Sequence, residues 1–164
     1  MSAHTDSPAP PPAHAAVHFP PPLIYAAGIL VGWLLNRWRP LPITADASTA
    51  RASAALIFLV IWFALFSTAL RAFRRAHTTL IPNRPATSFV TDGPYRFSRN
   101  PMYLSMAALY LSVSLFINSW WCVLLLAVVI LIVDRAVIGR EERYLSAAFP
   151  AEYATYRARA RRWV

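Results

Sequence analysis

Ala52–Leu70 reads ASAALIFLVIWFALFSTAL, nineteen residues without a charged side chain. A run that long and that apolar is the size of a helix crossing the hydrocarbon core of a bilayer. Arg71, Arg74 and Arg75 stop it. This stretch sets the class, and the segments on either side repeat its pattern.

Leu23–Trp38 is a shorter apolar run, ended by Arg37, Arg39 and Pro40, with Gly28 and Gly32 four apart. That spacing lets a second helix approach closely, although two glycines are also ordinary in any membrane helix. Pro101–Ile117 is a third run, and Trp120 opens a fourth. The link Asn118-Ser119 is so short that these two must form an antiparallel hairpin, with Trp120-Trp121 at the interface. The fourth helix has no strong stop after Val133. The sequence therefore predicts an all-α integral membrane protein with about four transmembrane helices, at 23–38, 52–70, 101–117 and 120–138. Residues 23–164 form the domain, with 139–164 outside the bilayer. Residues 1–22, rich in proline and alanine, read as a flexible tail. They lack the positive n-region of a signal peptide and are expected to stay attached.

Composition agrees. Hydrophobic residues make up 57% of the 164 and charged residues 14%, too apolar for an ordinary soluble domain. All sixteen basic residues are Arg, a bias read as genomic rather than chemical. The net charge of +9 points to anionic headgroups, not nucleic acid, because most Arg residues flank apolar runs and no nucleic-acid module is present. Cys122 alone excludes an intrachain disulfide and reads as a small buried hydrophobe. The histidines match no metal-ligand spacing, so no metal is expected. Six Arg lie in 71–100, seven in 134–164 and three in 36–51. The positive-inside rule then places both termini and the 71–100 loop in the cytoplasm.

The chemistry concentrates where that loop meets the third helix, at Asp92-Gly93-Pro94-Tyr95-Arg96-Phe97-Ser98-Arg99-Asn100-Pro101-Met102-Tyr103. Asn100 can cap the helix and Pro101 suits its first turn. A helix N-terminus with arginines beside it suits an anion. The second polar feature is Arg140-Glu141-Glu142. At helical period both carboxylates fall on or beside the apolar stripe of Val137, Ile138 and Leu145, so each needs a partner or a ligand. Arg96 or Arg99 is a candidate ion-pair partner, and one Glu is left to bind a ligand hydroxyl or amino group. Asp134, beside Arg135, is either an interface residue or part of the polar site, and the interface is the preferred reading. Beyond Phe149-Pro150, the residues Phe149, Tyr153, Tyr156, Ala160 and Trp163 recur at helical spacing among arginines. This is a basic amphipathic helix whose aromatic face lies in the membrane interface, packs on the protein, or does both.

Gly93-Pro94-Tyr95-Arg96-x-x-Arg99-Asn100-Pro101-x-Tyr103-Leu104, followed by Glu141-Glu142-x-x-Leu145, Phe149-x-x-Glu152-Tyr153-x-x-Tyr156 and Arg162-Trp163, resembles the signature of the isoprenylcysteine carboxyl methyltransferase and phospholipid methyltransferase superfamily. The resemblance covers about residues 80–164. It implies a helical membrane methyltransferase using S-adenosylmethionine, without a Rossmann domain. By position, it assigns Arg99, Asn100, Tyr103, Glu141 and Glu142 to the cofactor site, bordered by Tyr95 and Arg96. Arg99, Glu142 and Tyr103 would act at the reacting group, and the acceptor would be a lipid or lipophilic small molecule bearing a carboxylate, amine or thiol. A bacterial inner membrane is the expected location. Three positions depart from the pattern. Asn100 stands where many members have His, Pro150 replaces a common Gly, and four spans is fewer than in some relatives. Asn cannot carry the proton that His can. Two other readings stay open: a non-catalytic membrane assembly module, and a nicotinamide-dependent enzyme of the steroid-reductase type.

Overall fold

The computed structural model describes residues 20–76 and 90–164. The expected tail falls outside these residues up to position 19, and so does most of the 77–100 loop, with His77 and Arg84. The described chain is helical: α1 Pro21–Trp38, α2 Thr49–Arg75, a 3₁₀ turn Gly93–Arg96, α3 Pro101–Ile117, α4 Trp120–Ile132, a π-helical turn Val133–Ile138, α5 Gly139–Ala148 and α6 Pro150–Arg159. α1 begins at Pro21, so the last prolines assigned to the tail open a helix, the first turn being the place where proline is tolerated.

α2 and the continuous run Trp120–Ala148 are long and apolar enough to cross a bilayer, and α3 is a shorter apolar helix. Only 11% of the most apolar window of α2 is buried inside the protein. Leu56, Ile57, Val60 and Phe63 are exposed on it, as are Leu124, Val128 and Leu131 on α4 and Leu30, Val31 and Leu34 on α1. Exposing that much apolar surface to water would cost about 25 cal/mol per Å², whereas hydrocarbon imposes no such cost. The outward faces are those of an integral membrane protein. Trp120–Ala148 is 29 residues, about 43 Å of helix against a hydrocarbon thickness of about 30 Å. The run is thus longer than a bilayer crossing along the normal requires.

α2 packs along α3, and α1 packs along α4. The glycine pair of α1 faces inward within the chain. A Cβ on Gly28 would stand 2.5 Å from Val129 Cγ2, and one on Gly32 2.8 Å from Cys122 Sγ and 2.9 Å from Cys122 Cα. The close approach that the spacing permitted is thus made to α4.

The end remote from the site is tied by backbone bonds. Asn118 takes a left-handed conformation (φ 59°) between α3 and α4, a shape Asn tolerates better than most residues. Its Oδ1 accepts from the amides of Ile43 and Thr44 at 3.0 and 3.1 Å, and its Nδ2 donates to the Thr44 carbonyl. Ser119 caps α4 by accepting from the Cys122 amide. Arg51 donates to the Leu115 carbonyl and to Thr44 Oγ1.

Candidate functional site

Pro101 opens α3, and Asn100 precedes it as expected. The capping bond is absent, however: Asn100 Nδ2 instead donates to the Arg162 carbonyl at 2.8 Å. The tail competes for Asn100 because it runs extended beside residues 97–99. The Arg161 amide donates to the Phe97 carbonyl, and the Arg99 amide donates to the Arg161 carbonyl at 2.8 Å. Ser98 and Arg161 pair as an isolated parallel bridge.

Arg99 turns toward α5. Its Nε and Nη2 donate to Glu142 Oε1 at 3.1 and 2.9 Å, and its Nη1 donates to the carbonyls of Ala160 and Arg157 at 2.6 and 3.3 Å. Arg162 donates to the same carboxylate through Nε and Nη2. Its Nη1 reaches both oxygens of Asp134, 3.2 and 3.4 Å away. Trp163 Nε1 donates to Asp134 Oδ1 at 3.0 Å. The result is an alternating row, Asp134–Arg162–Glu142–Arg99. Asp134, expected at the interface, is instead one end of this row.

The π turn explains why. At about 100° per residue, side chains eight apart on an α-helix diverge by about 80°. The Gly139 amide bonds the Asp134 carbonyl five residues back, so this turn holds one extra residue. Asp134 and Glu142 then behave as if seven apart and point within about 20° of each other, close enough for one guanidinium to serve both.

Glu141 is outside that row. Its partner among the described residues is Tyr103, whose hydroxyl donates to Glu141 Oε1 at 2.6 Å. The Tyr103 carbonyl accepts from the Tyr25 hydroxyl at 3.0 Å, which fixes α1 against α3 at this level. Tyr95 is buried against Phe73, and its carbonyl accepts from the Tyr156 hydroxyl. Arg96 is exposed. The structure therefore gathers Arg99, Asn100, Tyr103, Glu141 and Glu142, sets Tyr95 beneath α6, and leaves Arg96 in solvent.

The two glutamates differ electrically. Burial works against the charged form of Glu142, but bonds from Arg162 and Arg99 outweigh it and hold this carboxyl below its usual range. Burial pushes Glu141 up to about 7, against the opposing pull of the Tyr103 bond. Bonding to Glu142 raises Arg162, with burial opposing. Burial also raises the Tyr95 hydroxyl, with smaller contributions from Tyr156 and Glu141. Among the described residues, three carboxylates (Asp134, Glu141, Glu142) meet three guanidiniums (Arg99, Arg162 and the exposed Arg135, 3.7 Å from Asp134), and Glu141 is the carboxylate that pairs with none of them.

The aromatic face of the C-terminal helix packs on the protein at Tyr153, Tyr156 and Ala160, which form a buried cluster with Phe149 and Leu145. Of the two placements the sequence allowed for that face, the structure adopts packing on the protein. Arg157, Arg159 and Arg161 are exposed around it. Two contributors went unassigned from the sequence, Arg162 and Tyr25, and Asp134 was weighed for the site but not preferred there. Arg162 stood in the closing Arg-Trp pair, which was the signal available. A lone Tyr in an apolar run gives none.

A family model described as phospholipid methyltransferase matches residues 49–152. An uncharacterized protein of Haemophilus influenzae is 35% identical over 63 residues, covering 38% of this chain and all of that protein. No solved structure matches.

Proposed function

The chain belongs to the phospholipid methyltransferase family, a membrane methyltransferase, and from that premise we propose that it transfers a methyl group from S-adenosylmethionine to a lipophilic acceptor. The observation that carries this is Glu141: a half-buried carboxylate of α5 that, among the described residues, is bonded to Tyr103 near the start of α3 and stands outside the ion-pair row. The donor set fits. S-adenosylmethionine at neutral pH bears an ammonium, a sulfonium and a carboxylate, and its cationic groups suit Glu141, the carboxylate left outside the ion-pair row. Glu141 has lone pairs left for the ammonium or a ribose hydroxyl. The first amides of α3 and the guanidinium of Arg99 suit the carboxylate.

When bound, the cofactor supplies a methyl group on an already activated leaving group, to be displaced by the acceptor's lone pair. The chain's task is then alignment, which is what a rigid set of bonds contributes most. Glu142 holds Arg99 and the tail in place. With its carboxyl pulled down by two guanidiniums, it is a poor proton acceptor. An amine or thiol acceptor needs to lose a proton, and the Glu141–Tyr103 pair, with Glu141 near 7, is better matched to take it. A carboxylate acceptor needs no base. The site end carries most of the arginines, which favours placing it on the cytoplasmic side of a bacterial inner membrane.

Equilibrium dialysis of labelled S-adenosylmethionine against the detergent-solubilised chain tests the cofactor. Saturable binding that Glu141→Ala weakens is expected. No binding at millimolar cofactor by folded protein, or binding of NADPH in its place, overturns the proposal. Incubation with lipid extracts and labelled methyl donor then identifies the acceptor.

A further inference from the structure

The residues placed to meet a ligand are almost closed off. Asn100 is 7% exposed, Tyr103 8% and Glu142 9%. What closes them is the end of the chain. α6 ends at Arg159, and Ala160 turns into extended backbone (φ −104°, ψ 135°). The next residues cross the start of α3 and are fastened at three places. The Arg161 backbone bonds Phe97 and Arg99 on either side of Ser98. Arg162 lies between Glu142 and Asp134. The Trp163 indole packs on the core cluster that contains Tyr103, Val133 and Val137, held there by Asp134.

These fastenings use the groups a ligand would need. Glu142 is shared between two guanidiniums, Asn100 is spent on a tail carbonyl, and Arg99 Nη1 is spent on two more. A ligand the size of a nucleoside with an amino-acid arm cannot touch Arg99, Asn100 and Glu142 while the tail holds them. On the reading that this site takes S-adenosylmethionine, we infer that Ala160–Trp163 is a gate that swings away from the start of α3 for cofactor to enter and product to leave, then closes again. Ala160 is the pivot, since the aromatic face of α6 is buried before it and the residues after it are held by polar bonds. Arg162 is the bolt. As an internal cation it neutralises Glu142 and Asp134 while the tail is closed. A strap held by hydrogen bonds and ion pairs belongs to the low-stability end of a structure, from which lids are drawn.

Two measurements on the full chain test this. Amide hydrogen exchange needs no cofactor. The amides of Arg99 and Arg161 should exchange together, ahead of the α3 interior, and bound cofactor should slow both. Exchange of these two amides only along with the α3 core overturns the gate. The second measurement locks it. Bridge partners lie about 5 Å apart, within the range a disulfide spans. Ser98→Cys with Arg161→Cys in a Cys122→Ser background should bind and release S-adenosylmethionine when reduced and do neither when oxidised, with recovery on adding dithiothreitol. Equal exchange rates in the two redox states overturn the inference. If the unmodified chain binds no S-adenosylmethionine, the methyltransferase reading fails by itself, and the amide data still decide the gate.

Discussion

Glu142→Ala should be among the most destabilising single changes outside the bilayer. The Arg99 and Glu142 side chains are only 10% and 12% exposed, and Arg162 is 38% exposed. Removing the carboxylate leaves Arg99 with backbone carbonyls as its partners and Arg162 with Asp134, two guanidiniums no longer bridged. Breaking a buried pair by deleting one partner costs about 3–5 kcal/mol. The Arg162 share is screened by water and falls to about 1 kcal/mol or less. The Arg99 share then dominates, and about 3–4 kcal/mol is expected in total. For a chain of this length, each kcal/mol moves the melting temperature by about 2–4 °C, so a loss of roughly 6–16 °C follows. Glu142→Gln keeps an acceptor but loses the charge and should lose about half of that. The assay is thermal unfolding in mild detergent, followed by tryptophan fluorescence, with Glu152→Ala on the exposed face of α6 as control. The same interaction should fade in acid. Because the folded carboxyl lies below its unfolded value, its contribution is present above the ordinary Glu range, about 4.3, and is lost as pH falls through the folded value. A Glu142→Ala protein that melts within about 1 °C of the Glu152→Ala control would refute the reasoning.

Three further outcomes are expected. Gly32→Ala should cost about 1–3 kcal/mol by overpacking, with only partial rescue by Cys122→Ala, because the new Cβ meets the Cys122 backbone as well as its sulfur; unfolding in detergent reads both. Asn118→Ala should cost about 3 kcal/mol, combining three lost side-chain bonds with a left-handed backbone that Ala resists; Asn118→Gly restores the backbone part alone, and the difference between the two variants measures it. Affinity for S-adenosylmethionine should rise with pH through about 7, because Glu141 is raised to about 7 and meets a cation only when ionised; Glu141→Gln should weaken binding and flatten that limb in a dialysis series across pH.

The helices were legible in the sequence because the bilayer imposes length and apolarity on each segment separately. Ala52–Leu70 needs no partner to declare itself, and Pro101 and Asn118-Ser119 mark the ends of α3 by local chemistry. The site was half legible. Glu141 and Glu142 could be placed by helical register, Tyr103 by its position at the start of α3, and Arg96 or Arg99 as the partner of one Glu. What the sequence concealed depends on geometry that has no residue code. No residue in Val133–Ile138 announces a π turn, so Asp134 looked misplaced for the site. The diversion of Asn100 from its capping role depends on a strand-like contact with residues sixty positions later. The face of α6 that packs inward has the same pattern as one made for lipid.

The π turn also bears on how this chain tolerates change in length. Removing one residue from Val133–Ile138 would let the hydrogen-bond ladder close as an unbroken α-helix, a more regular object than the native one. Because the π turn already sets Glu142 where a seven-residue α-helical spacing from Asp134 would, the residues after it would keep their direction to within about 20°, and Glu141 and Glu142 would still face their partners. Closing the turn to α geometry without that loss would instead swing them by about 100°, taking Glu141 from Tyr103 and Glu142 from Arg99 and Arg162. Among relatives, Asp134 and Glu142 should stand eight positions apart with the π turn or seven without it, even where the side chains between them vary.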